Sequence, residues 1–185
     1  SVEVRFKKNI PFGAGLGGGS SDAAHMAIAL NELFHLGLSR QELASHVSRL
    51  GADCAFFIYN TPCFAEGIGD RLTPIDLDLR GKRLLMIKPD VHVSTRDAYA
   101  GITPNPLPFS RSVNDFETTV FARYPLLAHI KQRLLDAGAS YAAMSGSGST
   151  IFCLFENDTE RCTLSDLRLL HEEFASMIIF DDTLR

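Results

Sequence analysis

The stretch Pro11-Phe-Gly-Ala-Gly-Leu-Gly-Gly-Gly-Ser-Ser-Asp22 decides how the chain is read. Five of its twelve residues are glycine, and it lies between a short alternating segment and a long apolar-periodic one. A backbone without Cβ atoms can take positive φ and lie close against a ligand. Successive N–H groups in such a loop can point into one concavity and hold an anion. A helix opening at Ser20 or Ser21 would add its unpaired N–H groups and its dipole to that attraction. The residues therefore read as a phosphate cradle.

Three loop types compete for this stretch. Gly13-x-Gly15-x-x-Gly18 matches the dinucleotide fingerprint by letter, but that motif wants a second strand ending in an acidic residue about 20 positions on. Glu32 instead falls inside the apolar-periodic run Asn31-Glu-Leu-Phe. The Walker loop fits from Gly13 to Ser20 except at its decisive place, where Gly19 replaces the lysine. The third pattern, Pro11 through Gly-Leu-Gly-Gly-Gly to Ser20-Ser21-Asp22-Ala23-Ala24, resembles the phosphate loop of the GHMP small-molecule kinases, which include galactokinase, homoserine kinase and mevalonate kinase.

Composition sets the outer bounds. The 185 residues suffice for one or two domains with a real core. Hydrophobic content of 45% and charged content of 22% are ordinary for a globular protein. A net charge of −4 argues against a nucleic-acid surface, which needs a basic patch. No apolar stretch approaches the length of a membrane span. The cysteines at 54, 63, 153 and 162 lack tight metal-ligand spacing and read as buried thiols in a reducing cytoplasm. The six histidines form no close ligand pair; His25, on the helix after the loop, reads as a solvated or packed helix residue.

Val2 to Lys7 alternates and predicts a half-buried strand. Ser21 to Leu36 predicts a helix with Ala23, Ala27, Leu30 and Phe34 on one face, stopped by Gly37. Ser39 and Glu42 form a capping box for a second helix running to about Leu50. Asp53 is a lone carboxylate before the apolar run Cys54–Ile58, which predicts a buried, partnered side chain; the plainer reading is a cap or turn residue. Residues 62–66 and 71–75 predict a strand pair, and 82–88 a strong strand. Thr103 to Ser112 holds three prolines and predicts a loop. Beyond Ser94 the pattern gives short helices near 94–101, 114–122, 126–137 and 164–175, and strands at 141–144, 151–155 and 177–180. From about Arg83 this is an α+β pattern.

Further segments carry the same resemblance in the same order. Leu50-Gly-Ala-Asp53 is similar to the family's second signature, Phe64-Ala-Glu-Gly-Ile-Gly69 to its following hairpin, Asn114-Asp-Phe-Glu117 to a turn in its second domain, and Met144-Ser-Gly-Ser-Gly-Ser-Thr150 to its C-terminal glycine motif. The resemblance implies an α+β, two-domain fold: residues 1–80 as the remainder of an N-terminal, ribosomal S5 domain 2-like ATP-binding domain, and 81–185 as a C-terminal ferredoxin-like α/β sandwich. It implies transfer of the ATP γ-phosphoryl group to the 2-hydroxyl of 4-diphosphocytidyl-2-C-methyl-D-erythritol, in the non-mevalonate isoprenoid route. Asp53 would be the catalytic base. Lys8, Pro11, Phe12, Gly13, Ala14, Gly15, Leu16, Gly17, Gly18, Gly19, Ser20 and Ser21 would bind ATP. Ser20 or Ser21 is the candidate for Mg2+, and both hydroxyls could instead serve as helix caps. Tyr99 would stack on the cytosine, against ordinary helix packing, and Gly146, Ser147 and Gly148 would approach the substrate, against a tight turn. The partner is a small molecule, a cytidine diphosphate sugar alcohol. Neither nucleic acid nor membrane is expected, and the protein would be a cytoplasmic monomer or homodimer.

The family's front segment, which supplies a catalytic lysine, has no match in these residues, so the chain reads as a fragment with an intact second domain and impaired catalysis. Two other readings stay open: a homoserine- or mevalonate-type kinase with the same chemistry and another acceptor, and a non-catalytic nucleotide-binding module.

Overall fold

The structure, a computed structural model, describes residues 2–102, 114–156 and 162–185. The proline-rich 103–112 lies outside the described residues. Contacts divide the chain into two units. One comprises Gly17–Asp78; the other comprises the residues up to Leu16 together with Leu79–Arg185.

The Gly17–Asp78 unit holds three helices, α1 (Gly18–Leu33), α2 (Arg40–Val47) and α3 (Cys54–Tyr59), and a hairpin of β1 (Cys63–Glu66) and β2 (Arg71–Pro74). Helix α1 opens three residues earlier than the pattern predicts, inside the glycines. It ends where His35 and Gly37 take positive φ, and the Asn31 amide clamps both backbone groups of Leu38 at 3.0 Å, turning the chain toward α2. The capping box of α2 forms as expected: Glu42 N–H donates to Ser39 Oγ, and Ser39 N–H donates to the Glu42 carboxylate. The apolar run after Asp53 folds as helix α3, turning Cys54, Ala55 and Ile58 into a small core with Ala24, Leu43, Ala44 and Val47. Phe34, predicted on the inner face of α1, is its C-cap and lies exposed, because the helix ends one residue before it.

The larger unit is a four-stranded sheet with helices packed on it. Its elements are β3 (Arg83–Ile87), α4 (Thr95–Ala100), α5 (Phe116–Arg123), α6 (Pro125–Asp136), β4 (Tyr141–Met144), β5 (Ile151–Phe155), α7 (Leu164–Phe174) and β6 (Ile178–Thr183). The strand order is β4-β5-β3-β6, antiparallel throughout. Helices connecting β3 to β4 and β5 to β6 make this the ferredoxin-like arrangement. Period-two alternation in β5 turns Ile151, Cys153 and Phe155 inward. They pack with Leu85 and Ile87 of β3, Leu127, Ile130 and Leu134 of α6, and Leu170 and Phe174 of α7. Each such fully buried side chain contributes about 1.5–3 kcal/mol. Gly138, at φ 91°, stops α6 in step with the sequence expectation.

One strand does not form. Residues 2–9 have no strand structure, and Val2, Val4 and Phe6 are exposed. A strand exists only where a neighbour takes its N–H and C=O groups. No described strand pairs with this segment, so alternation alone left it unpaired. The cysteines also divide: Cys54 and Cys153 are buried, as expected, whereas Cys63 and Cys162 are only half-buried. Burial pushes the Cys153 thiol up to about 12.

Candidate functional site

Gly17, Gly18, Gly19, Ser20 and Ser21 form the start of α1. Gly17 is the N-cap, in the left-handed region at φ 63°, and no side chain caps the helix. A Cβ at Gly17 would lie 2.9 Å from the Phe57 ring, so glycine is required there twice over. Ser21 N–H is the first to find a helical acceptor, Gly17 O at 2.9 Å. The N–H groups ahead of it have no helical acceptor and lie at the positive end of a 16-residue helix dipole. Gly19 has open space where a side chain would stand. Ser20 and Ser21 are half-buried; His25 Nδ1 lies 2.8 Å from Ser21 O and 3.3 Å from its Oγ. Ser20 and Ser21 are therefore the third and fourth residues of the helix rather than its cap.

Asp53 is in the same unit, at the N-cap position of α3, with its side chain making no capping bond. It is exposed, contrary to the burial expected from the apolar run behind it. The helix turns only one face inward, and Asp53 stands before its first residue. Its carboxylate oxygen Oδ1 lies 3.4 Å from the position a Cβ on Gly69 would take, beside the hairpin turn.

In the other unit, the front half of the glycine loop is bound to the third glycine segment. Lys8 is half-buried and its Nζ stands 5.2 Å over the Phe12 ring. Pro11 and Phe12 are exposed, and Leu16 is half-buried. Gly13 lies beside the His92 ring; Ala14 is buried, and its carbonyl accepts Thr150 N–H at 3.2 Å. Ser145 Oγ donates to Gly15 O at 2.9 Å. At φ +75°, a Cβ on Gly15 would stand 2.1 Å from Ser145 O, so the two loops meet backbone to backbone only because this residue is glycine. Gly146 is exposed, Gly148 is buried, and Ser147 Oγ lies 3.3 Å from Thr95 Oγ1. Tyr99 is 65% exposed, with its ring held edge-on to Phe116 at 4.9 Å.

Sequence reasoning missed what supports these loops. Asn114 Nδ2 donates to Met144 O and Gly146 O, both at 2.7 Å, while its Oδ1 caps α5 through Phe116 N–H. Glu117, only 6% exposed, accepts Met144 N–H at 2.8 Å and Lys131 Nζ at 2.5 Å. No local pattern marks the tie of Glu117, because its partners Lys131 and Met144 lie 14 and 27 residues away along the chain.

Two family models match the chain: the GHMP kinases N terminal domain over residues 1–61 and the GHMP kinases C terminal domain over 107–162. Together with the ferredoxin-like sheet and the glycine-opened helix, these matches make the class plain: the chain belongs to the GHMP kinases. Within that class, the chain is similar to relatives named 4-diphosphocytidyl-2-C-methyl-D-erythritol kinase. The relative from Bacteroides thetaiotaomicron is 50% identical, over 84% of this chain and 62% of the relative. That from a Geobacter species is 42% identical, over 96% of this chain and 69% of the relative. A crystal structure of 4-(cytidine 5'-diphospho)-2C-methyl-D-erythritol kinase superposes with a TM-score of 0.75 at 31% identity, covering 92% of this chain and 66% of that one. The chain thus spans a little under two thirds of the Bacteroides relative's length. Among the described residues, no helix is long and apolar enough to cross a membrane.

Proposed function

We propose that the protein transfers the γ-phosphoryl group of ATP to the 2-hydroxyl of 4-diphosphocytidyl-2-C-methyl-D-erythritol. The observation that carries this reading is the uncapped, glycine-opened start of α1, whose first-turn N–H groups, without helical acceptors, suit a polyphosphate. The name shared by the relatives supports the acceptor.

Phosphoryl transfer depends chiefly on alignment and charge neutralisation. The N–H groups ahead of Ser21 would hold the phosphates. Asp53 would accept the proton of the acceptor hydroxyl as its oxygen bonds to the γ-phosphorus and ADP departs. The exposed carboxylate, with no capping duty, is free to reach a substrate. The Ser20 and Ser21 hydroxyls are hard oxygen donors that fit Mg2+ alongside phosphate oxygens, and either would hold it. When bound, the metal would neutralise phosphate charge. The exposed Tyr99 ring, braced by Phe116, offers a flat face to a base.

The test is incubation with ATP, Mg2+ and the cytidine compound, with ADP and the phosphorylated product read together. Stoichiometric ADP and product are expected. Efficient phosphorylation of homoserine or mevalonate in place of the cytidine compound would overturn the assignment.

A further inference from the structure

The third glycine segment, Ser145–Ser149, joins β4 to β5 and carries the backbone of Ala14 and Gly15 through two hydrogen bonds, Thr150 N–H to Ala14 O and Ser145 Oγ to Gly15 O. Within the segment, Ser145 N–H donates to Thr150 O at 2.8 Å and Gly148 N–H to Ser145 O at 3.0 Å. These bonds close the segment on itself between Ser145 and Thr150, and Met144 is the strand residue it springs from. Two side chains from the start of α5 grip Met144. Asn114 takes the Met144 and Gly146 carbonyls, and Glu117 takes the Met144 N–H.

Glu117 is a buried carboxylate, and an unpartnered one would be costly. Two features offset this: its place in the first turn of α5, where the dipole favours an anion, and Lys131 of α6 on its second oxygen. A stability role alone would be met as well by apolar residues of similar volume. The acceptor for a particular backbone N–H would not.

We propose that Glu117, backed by Lys131 and Asn114, is a positioning residue of the nucleotide site. Through Met144 it fixes the third glycine segment, and through that segment the Ala14–Gly15 backbone of the phosphate loop. Its effect on phosphoryl transfer rests on the kinase reading above. The mechanical coupling rests on the hydrogen bonds alone.

The test is amide hydrogen exchange at Met144 and Thr150, with α7 amides as the control, in wild type, Glu117→Ala, Glu117→Gln and Lys131→Met, alongside kinetics varying ATP and acceptor separately. Glu117→Ala should raise exchange at both amides by about tenfold or more, with α7 unchanged. It should raise KM for ATP by a comparable factor and leave KM for the acceptor alone. Glu117→Gln keeps an acceptor for Met144 N–H and should restore most of the protection. Should Glu117→Ala fail to fold, Glu117→Gln and Lys131→Met decide: Lys131→Met should loosen Thr150 and Glu117→Gln far less. Thr150 exchange unmoved by every variant would overturn the inference. Wild-type protein without phosphoryl transfer would overturn the kinase reading instead, and the exchange data would still decide this one.

Discussion

Asp53 sits at the start of α3 with a carboxylate that neither caps the helix nor packs in the core. Its removal should therefore leave the fold alone. Asp53→Asn is expected to lower kcat by about 10²- to 10⁴-fold, with ATP affinity and the thermal midpoint unchanged, as read by steady-state kinetics and calorimetry. Thr150 gives the converse case. Its Oγ1 is buried with no hydrogen-bond partner among the described residues. Leaving such a group unpaired costs about 1–3 kcal/mol. Thr150→Val keeps the shape, so denaturant titration should show stability equal to wild type or higher by about 1 kcal/mol. At this scale the glycines were legible in the sequence, because only glycine fits Gly15 against Ser145 O. Glu117 was not, because its partners Lys131 and Met144 lie 14 and 27 residues away. The burial of Asp53 was misread, because an apolar run was treated as uniformly inward when its helix buries one face.

At the scale of elements, periodicity found most of the fold. β5 and α6 are strictly patterned, and the Ser39–Glu42 box marked the start of α2 to the residue, although the helix ends at Val47 rather than near Leu50. The segment from Val2 to Lys7 shows the limit of such patterns, since a strand is a property of two segments and the sequence shows one. Core elements should answer to truncation: Leu85, fully buried on central β3, when changed to alanine should cost about 2–5 kcal/mol in denaturant unfolding. Elements are also tied by charge. Arg83 of β3 binds Asp181 of β6 through two bonds of 2.7 Å, and His171 of α7 shares the same carboxylate. Burial by itself would push Asp181 up, but the Arg83 and His171 hydrogen bonds outweigh it and hold the carboxyl below its usual range. A carboxylate held low in the folded state adds stability that is present above its unfolded pKa, about 4, and is lost as pH falls through the folded value. Urea midpoints should therefore drop below about pH 4. Asp181→Asn should lower stability at neutral pH and flatten that acid limb.

For the whole molecule, the division into units follows contacts rather than chain order. Residues up to Leu16 group with Leu79–Arg185, while the rest of the glycine loop opens α1 in the Gly17–Asp78 unit. A reading along the sequence puts a boundary near residue 80 and keeps the loop whole. It has no means of seeing that Ala14 and Gly15 are bound to residues 145 and 150. The family, by contrast, was legible early, because four motifs in fixed order constrain far more than any one loop. The most direct measurement is phosphoryl transfer by the protein from ATP to 4-diphosphocytidyl-2-C-methyl-D-erythritol, with phosphorus NMR locating the new phosphate. ADP and one phosphate on the 2-hydroxyl are expected, formed about 10²- to 10⁴-fold more slowly by Asp53→Asn. Bound ATP with no transfer, or transfer undiminished in Asp53→Asn, would contradict the kinase reading.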